Sequence, residues 1–304
     1  MKILLTGSSG FLGGIIKDSL INEEIITLGR SDNDSIIADI CDVIPALPKV
    51  DLIIHSAGKA HSVPKTEEEK KEFFNVNVAG TKNLLNRISC DFLPDYFVLI
   101  STVAVYGKEC GLEINEETML NAKDPYGISK IETEKIVTEW CKLNNVTCTI
   151  LRLPLVAGPN PPGNLKSMVE GIKKGYYFDI GGGTAHKSIV LAEDVAKIIP
   201  TTAKIGGIYN LTDGHHPSFS ELSSHIARQF GKSTPLNLPK FIAYIAAFAG
   251  DFIGSKALIN SKKLRKITSD LTFDDSKARE RLGWNPTGVL DGFILKNVKD
   301  LHKG

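Results

Sequence analysis

Short apolar runs alternate with longer stretches of helical period through the first half of the chain. Lys2-Ile3-Leu4-Leu5-Thr6 predicts a strand, and Phe11, Leu12, Ile15, Ile16 and Leu20 after it recur at helical spacing. Glu24 to Leu28 predicts a second strand and Ile36-Ile37-Ala38 a short third. Val50 to His55 is a fourth, near-continuously apolar as suits a parallel sheet covered on both faces. A helical segment follows from Glu67 to Ser89, then a fifth strand at Tyr96 to Ile100, a helix from Asp124 to Leu143, and a sixth strand at Thr147 to Leu153. Strands alternating with helices at this spacing imply βαβ units, hence an α/β chain with a doubly wound parallel sheet.

The alternation breaks at Gly158-Pro159-Asn160-Pro161-Pro162-Gly163, a composition that ends regular structure. Beyond it Asn164 to Lys174 reads as helix, Ser188 to Leu191 with Ala192 to Ile199 as a return to the main sheet, and the chain from Asp213 as shorter helices and loops. The expected organisation is a nucleotide-binding domain over 1–155, rejoined by 187–212, and a smaller, mostly helical substrate lobe from 156–186 and 213–304. The apolar stretch Phe241 to Ile259 is interrupted by Asp251 and Lys256, so it falls short of a membrane span and reads as a buried or lobe-packing helix rather than an interfacial one.

Composition narrows the partners. With 36 basic and 35 acidic residues in 304, nothing favours a nucleic-acid surface, and a small soluble ligand is the expected partner. The five cysteines are scattered and never spaced C-x-x-C, as in a reduced, cytoplasmic protein without a disulfide framework or zinc site. The start of the chain, one lysine and then strand, lacks a signal peptide's pattern, which also points to the cytoplasm.

The chemistry begins at Gly7-Ser8-Ser9-Gly10-Phe11-Leu12-Gly13, a glycine turn between a strand and a helix. Gly7 permits the turn, Gly10 lets a pyrophosphate approach the backbone, and Gly13 lets helix and strand pack closely. The free N–H groups at the helix start then face the phosphates of a dinucleotide. About 20 positions past the glycines, where an acid would hold the adenosine ribose, none is found; Arg30 stands at the end of the second strand instead. Its guanidinium suits a 2′-phosphate, which favours NADP(H), with NAD(H) as the other possibility. Asp39 is placed either to accept from the adenine amino group or to make a turn. Ser56-Ala57-Gly58 leave room for a ligand at the end of the fourth strand, and Ser101-Thr102 end the fifth.

Tyr126 and Lys130 lie four apart and so share a helix face, with Asp124 as the cap and Pro125 in the first turn. A hydroxyl, a phenol and an ammonium suit carbonyl/alcohol redox chemistry beside a nicotinamide. A phenol titrates near ~10, and a neighbouring ammonium brings that toward the working range. Thr102 is the hydroxyl that would hold the substrate oxygen. His55 and His61 flank the same side but suit packing or capping, and His215-His216 point to opposite faces with no third metal ligand.

Together Gly7-x-x-Gly10-x-x-Gly13, Asn77-x-x-Gly80-Thr81, Ser101-Thr102-Val103-Ala104-Val105-Tyr106-Gly107, Tyr126-x-x-x-Lys130, Leu151-Arg152-Leu153-Pro154 and Arg281-Leu282-Gly283-Trp284-x-Pro286 resemble the extended short-chain dehydrogenase/reductase family, its NAD-dependent epimerase/dehydratase group. The resemblance implies a Rossmann-type NAD(P) domain, a nucleotide-activated sugar as substrate and a homodimer joined through the helices Glu67–Ser89 and Asp124–Leu143. It also implies Thr102, Tyr126 and Lys130 as the catalytic trio. On its pattern the cofactor meets Gly7, Gly10, Phe11, Leu12, Gly13, Arg30, Asp39, Ile40, Ser56, Ala57, Gly58, Asn77, Ser101, Tyr126, Lys130 and Leu153. The substrate meets Thr102, Tyr126, Asn164 and Leu165 on the same pattern; Lys187 reads either as a further phosphate-neutralising charge or as a surface lysine, and no metal is expected.

Departures from the pattern narrow the reaction. The family's sugar 4,6-dehydratases carry an Asp-Glu pair after the threonine, where this chain has Val103-Ala104. Leu153-Pro154-Leu155 also differs from the Phe-Asn-Val usual in UDP-glucose 4-epimerases. The first departure disfavours dehydration, and Pro154-Leu155 with Gly158-Pro159 looks more like reductases of 4-keto nucleotide sugars that serve surface polysaccharide synthesis. The expected function is reduction of a 4-keto, UDP-linked sugar. The alternatives are a UDP-hexose or N-acetylhexosamine 4-epimerase that retains NAD, and a non-catalytic dinucleotide sensor.

Overall fold

The computed structural model describes residues 1–60, 62–253 and 260–295. Its centre is a seven-stranded parallel sheet. The strands are β1 (Lys2–Thr6), β2 (Glu24–Gly29), β3 (Ile36–Ile37), β4 (Leu52–His55), β5 (Tyr96–Thr102), then, after the outlying β6 (Gly111–Ile114), β7 (Thr147–Leu153), and last β11 (Gly207–Asn210), with β8 (Leu155–Ala157), β9 (Phe178–Ile180) and β10 (Ile189–Leu191) outside it. Across the sheet the order is β3-β2-β1-β4-β5-β7-β11, the doubly wound Rossmann arrangement. Helix α1 (Phe11–Ser19) follows β1, α2 (Glu67–Phe74) and α3 (Gly80–Asp91) follow β4, and α4 (Pro125–Leu143) precedes β7. One face of the sheet packs Ile3, Leu5, Ile54 and Leu151 against Ile16 of α1 and Val195 of α6 (Ala192–Ile205, after α5 at Gly163–Lys174). The other packs Leu4, Ile53, Phe97 and Ile150 against Leu84 of α3 and Val137 of α4. Burial on both faces is why these strands read as unbroken apolar runs.

Three elements differ from the sequence expectation. Ser188 to Leu191 does not rejoin the main sheet; β10 pairs with β8 in a separate two-stranded sheet, and β11 is the strand that returns. Pro154 stands between β7 and β8 and has no N–H for the ladder, so the chain leaves the main sheet there. Glu67 to Ser89 is helical but not uniform, because Asn75–Ala79 form a π-helical turn between α2 and α3. The pairing of β6 with β13 (Leu271–Phe273, after β12 at Leu236–Leu238) joins segments too short to show a period of their own.

The carboxyl-terminal portion is mostly helical, with α7 (Phe219–Gln229), α8 (Lys240–Ile253), α9 (Ser261–Thr268) and two short helices, Ser276–Leu282 and Val289–Gly292. Its core joins Leu165 and Ile172 of α5 to Leu222 and Ile226 of α7. The apolar stretch from Phe241 is only half as expected. Ala243 and Ala247 of α8 are buried against Ile180, Leu238 and Leu264, whereas Phe241, Tyr244 and Ile245 are 65, 59 and 67% exposed. The rest of that stretch, 254–259, lies outside the described residues. Among the described residues no helix is long and apolar enough to cross a membrane.

Candidate active site

A cavity of about 620 Å³ opens at the carboxyl ends of the parallel strands. One wall is the turn between β1 and α1. Gly7 adopts φ 77°, and a Cβ there would come within 2.7 Å of the Ala57 backbone. At Gly13 a Cβ would stand 2.0 Å from the Gly7 carbonyl oxygen. Gly10 caps α1 with no side chain over the first N–H groups, and Gly10, Phe11, Leu12 and Gly13 line the cavity. An uncapped helix start behind a turn that only glycine can make is the donor set a dinucleotide diphosphate requires, so these residues fit that cofactor.

Ser56, Ala57 and Gly58 continue this wall, with the Ala57 N–H donating to Thr6 Oγ1 at 3.1 Å. His55, just before them, is fully buried and does not face the cavity. Its Nδ1 lies 2.8 Å from Thr6 Oγ1 and its Nε2 2.9 Å from Thr81 Oγ1. Thr81 spends its proton on the Asn77 carbonyl, so Nε2 donates and Nδ1 accepts, the pattern of a neutral ring. Burial pulls its pKa down to about 3, with Lys130 pushing the same way, which matches the packing role. His61 lies outside the described residues. His216 contacts Ser188 and Glu113, and among the described residues no group of three or more His, Cys, Asp or Glu side chains is set to hold a metal.

The floor is formed by β5, the π-helical turn and α4. Asn77 is fixed there by five bonds: its side chain accepts from the Lys59 N–H at 2.7 Å and donates to the Lys59 carbonyl and Ser129, and its carbonyl accepts from Thr81 and, at 2.8 Å, from Thr133. Asp124 caps α4 by accepting from the Gly127 N–H at 3.0 Å, as the sequence implies, and so aims Tyr126 and Lys130 into the cavity beside Ser101 and Thr102. Burial pushes the Tyr126 phenol up to about 12, against a hydrogen bond with Thr102 and with Asp124 adding to the rise. The expected lowering by Lys130 is therefore not what the protein itself provides. Lys130 donates to the Ile100 carbonyl at 2.7 Å, and burial pulls its ammonium down to about 8, with Glu134 opposing.

Leu153 closes the base, and the second half of the cavity comes from the carboxyl-terminal portion. Asn164 and Leu165 enter from the uncapped start of α5. Lys187 enters beside β13, its ammonium donating to the Ser269 carbonyl at 2.8 Å and pulled down to about 8 by burial. Three expected cofactor residues are not in this wall: Arg30, Asp39 and Ile40. Arg30 is 80% exposed and stands 3.4 Å from Asp39, whose other oxygen accepts from the Cys41 N–H at 2.9 Å. Asp39 thus makes the turn that was its second reading. Ile40 packs against Gly80, where a Cβ would lie 2.9 Å from its side chain.

Sequence reasoning missed two features. An acid is present after β2: Asp34, 21 positions beyond Gly13, folds back so that its carboxylate accepts from Ser8 Oγ and, at 3.0 Å, from the Ser31 N–H. A Cβ on Gly29 would lie 2.4 Å from that carboxylate, so the glycine makes room for it. Asp34 satisfies the spacing of about 20 positions past the glycines, so the expectation that no acid stands there is corrected. The second is a buried network behind Lys130: Arg152 pairs with Glu134 at 2.7 Å and donates to the Tyr106 hydroxyl at 3.0 Å, while Ser101 donates to Glu134 and Tyr106 to Asn210. Only the Arg-Leu-Pro string hinted at it.

The family model described as the NAD dependent epimerase/dehydratase family matches residues 3–211. A UDP-glucose 4-epimerase of Vibrio cholerae is 28% identical, over 96% of this chain and 93% of its own. A GDP-6-deoxy-D-mannose reductase of Pseudomonas aeruginosa is 24% identical over 61% of this chain and 64% of its own. Among solved structures, the UDP-glucose 4-epimerase of Thermotoga maritima with UDP-glucose superposes with a TM-score of 0.78, covering 100% of this chain and 99% of that one at 22% identity.

Proposed function

The chain belongs to the NAD-dependent epimerase/dehydratase family, and on that premise we propose that it reduces the C4 keto group of a UDP-linked sugar with NADPH. The arrangement that carries this reading is Tyr126 beside Thr102 in the cavity wall, where burial raises the phenol and leaves its proton available for transfer. When bound, the reduced nicotinamide supplies the hydride. Thr102 holds the C4 oxygen by a hydrogen bond, and Tyr126 donates its proton to that oxygen as charge develops on it. Lys130, anchored on the Ile100 carbonyl one helical turn from Tyr126, is placed to hold the nicotinamide ribose. Val103 and Ala104 supply no group for removing water, which argues against dehydration. Gly7, Gly10 and Gly13 cradle the diphosphate, with the exposed Arg30 at the end of β2 available to a 2′-phosphate. Asn164, Leu165 and Lys187 face the nucleotide sugar.

Purified protein should oxidise NADPH in step with a UDP-4-keto-6-deoxy sugar, and Tyr126→Phe should lower kcat by about 10²–10⁴-fold. A second reading, 4-epimerisation of a UDP-hexose, is favoured by the Vibrio cholerae relative and by Asp34, a carboxylate suited to ribose hydroxyls. Retained NAD, with UDP-glucose and UDP-galactose interconverting and no net cofactor use, would establish that reading and sink the first. An unchanged biological activity in Tyr126→Phe would leave only a dinucleotide sensor. The homodimer expected through α2, α3 and α4 is checked by light scattering.

A further inference from the structure

Helix α8 is amphipathic with its faces reversed relative to an ordinary packed helix. It buries the small Ala243 and Ala247 and turns Phe241, Ile242, Tyr244 and Ile245 to solvent. The small sheet beneath it adds Phe178 and Leu236, paired in register and 46 and 71% exposed. Large side chains kept in water on a helix that had small ones to expose call for an occupant.

Charge identifies the occupant. Across 232–253 and 260–268 stand Lys232, Lys240, Lys262, Lys263, Arg265 and Lys266 against the single acid Asp251, in a chain whose net charge is only +1. Counting Glu109, which faces Lys262 and Lys266 at 3.6 and 3.4 Å, the balance is six to two. Asp251 accepts from the N–H and hydroxyl of Ser261, tying the start of the basic α9 to the end of α8. An exposed apolar helix face with lysine and arginine concentrated on the same helix and on α9 packed against it matches a bilayer surface carrying anionic headgroups. A second copy of this chain is the poorer match, because its like charges would be brought together.

We propose that α8 seats this protein on an anionic lipid bilayer, its apolar face entering the headgroup region and the basic residues around it meeting lipid phosphates. Helix α9 is followed closely by β13, whose Leu271 and Phe273 line the active-site cavity. The proposal does not depend on which reaction the site performs.

The test is flotation of the full chain with vesicles of equal phosphatidylcholine and phosphatidylglycerol, or of phosphatidylcholine alone. It should float with the mixed vesicles, less with the neutral ones, and be released by salt. The variant Phe241→Ser/Tyr244→Ser/Ile245→Ser should lose at least about tenfold in vesicle affinity while keeping its circular dichroism and dinucleotide binding. Should that variant not fold, Lys240→Glu/Arg265→Glu should weaken binding to mixed vesicles alone. Absence of binding to mixed vesicles, undiminished binding by the folded variants, or a wild-type dimer that the triple variant splits would each overturn the proposal.

Discussion

Two arginine–carboxylate pairs in this protein have the same chemistry and opposite settings. Arg152 and Glu134, which joins the pair from α4, meet at 2.7 Å with side chains 4 and 5% exposed, and Ser101 and Tyr106 complete their hydrogen bonding. Arg30 and Asp39, at the end of β2, stand 3.4 Å apart with side chains 80 and 30% exposed. Neither member of the first pair can leave without stranding a buried charge, so the pair acts as a fixed backing that joins α4 to β5 and β7. The second pair gains little from its own attraction in water, so its guanidinium is free to exchange a carboxylate for a ligand phosphate. Burial, rather than residue type, separates scaffold from contact.

The comparison is broken most readily at the buried pair. Arg152→Met should cost about 3–5 kcal/mol in urea unfolding, and adding Glu134→Leu should restore much of the loss. If the single change costs no more than a surface substitution, the network is not the backing described here. Acid tests the buried side by another route. His55 has its pKa pulled down to about 3 in the fold, against about 6.5 when unfolded, so between those values the unfolded chain binds more protons. Stability should therefore fall as pH drops below about 6.5, by up to about 1.4 kcal/mol per pH unit, and His55→Gln should flatten that limb.

The exposed pair predicts smaller effects. Arg30→Ala should raise KM for NADPH by about tenfold and leave KM for NADH nearly unchanged. An equal change in both would remove Arg30 from cofactor choice and turn attention to Asp34. Asp39→Ala should alter unfolding free energy by no more than about 1 kcal/mol; a larger loss would mean that its turn at Cys41 matters more than its exposure suggests.

Much of the site was legible because the chemistry forces short-range patterns. A glycine turn after a strand, a capped helix start with Tyr126 and Lys130 one turn apart, and hydroxyls at the end of β5 each occupy a few consecutive residues. What could not be read were pairings between distant segments: Arg152 with Glu134, β6 with β13, and the fold-back of Asp34 onto Ser8. The sign of the Tyr126 shift was also missed, since a neighbouring ammonium can be seen in sequence but the depth of burial cannot.

The strand–helix alternation of the first half of the chain, the glycine turn and the placing of Tyr126 and Lys130 on one helix face follow from the sequence itself, because periodicity and local spacing encode them. Tertiary structure alone decided which arginine is buried, that Arg30, Asp39 and Ile40 lie outside the cavity wall, and that α8 hides its alanines and presents its large apolar side chains. An apolar stripe looks the same in sequence whichever way it faces. Only the packing of its neighbours sets the direction.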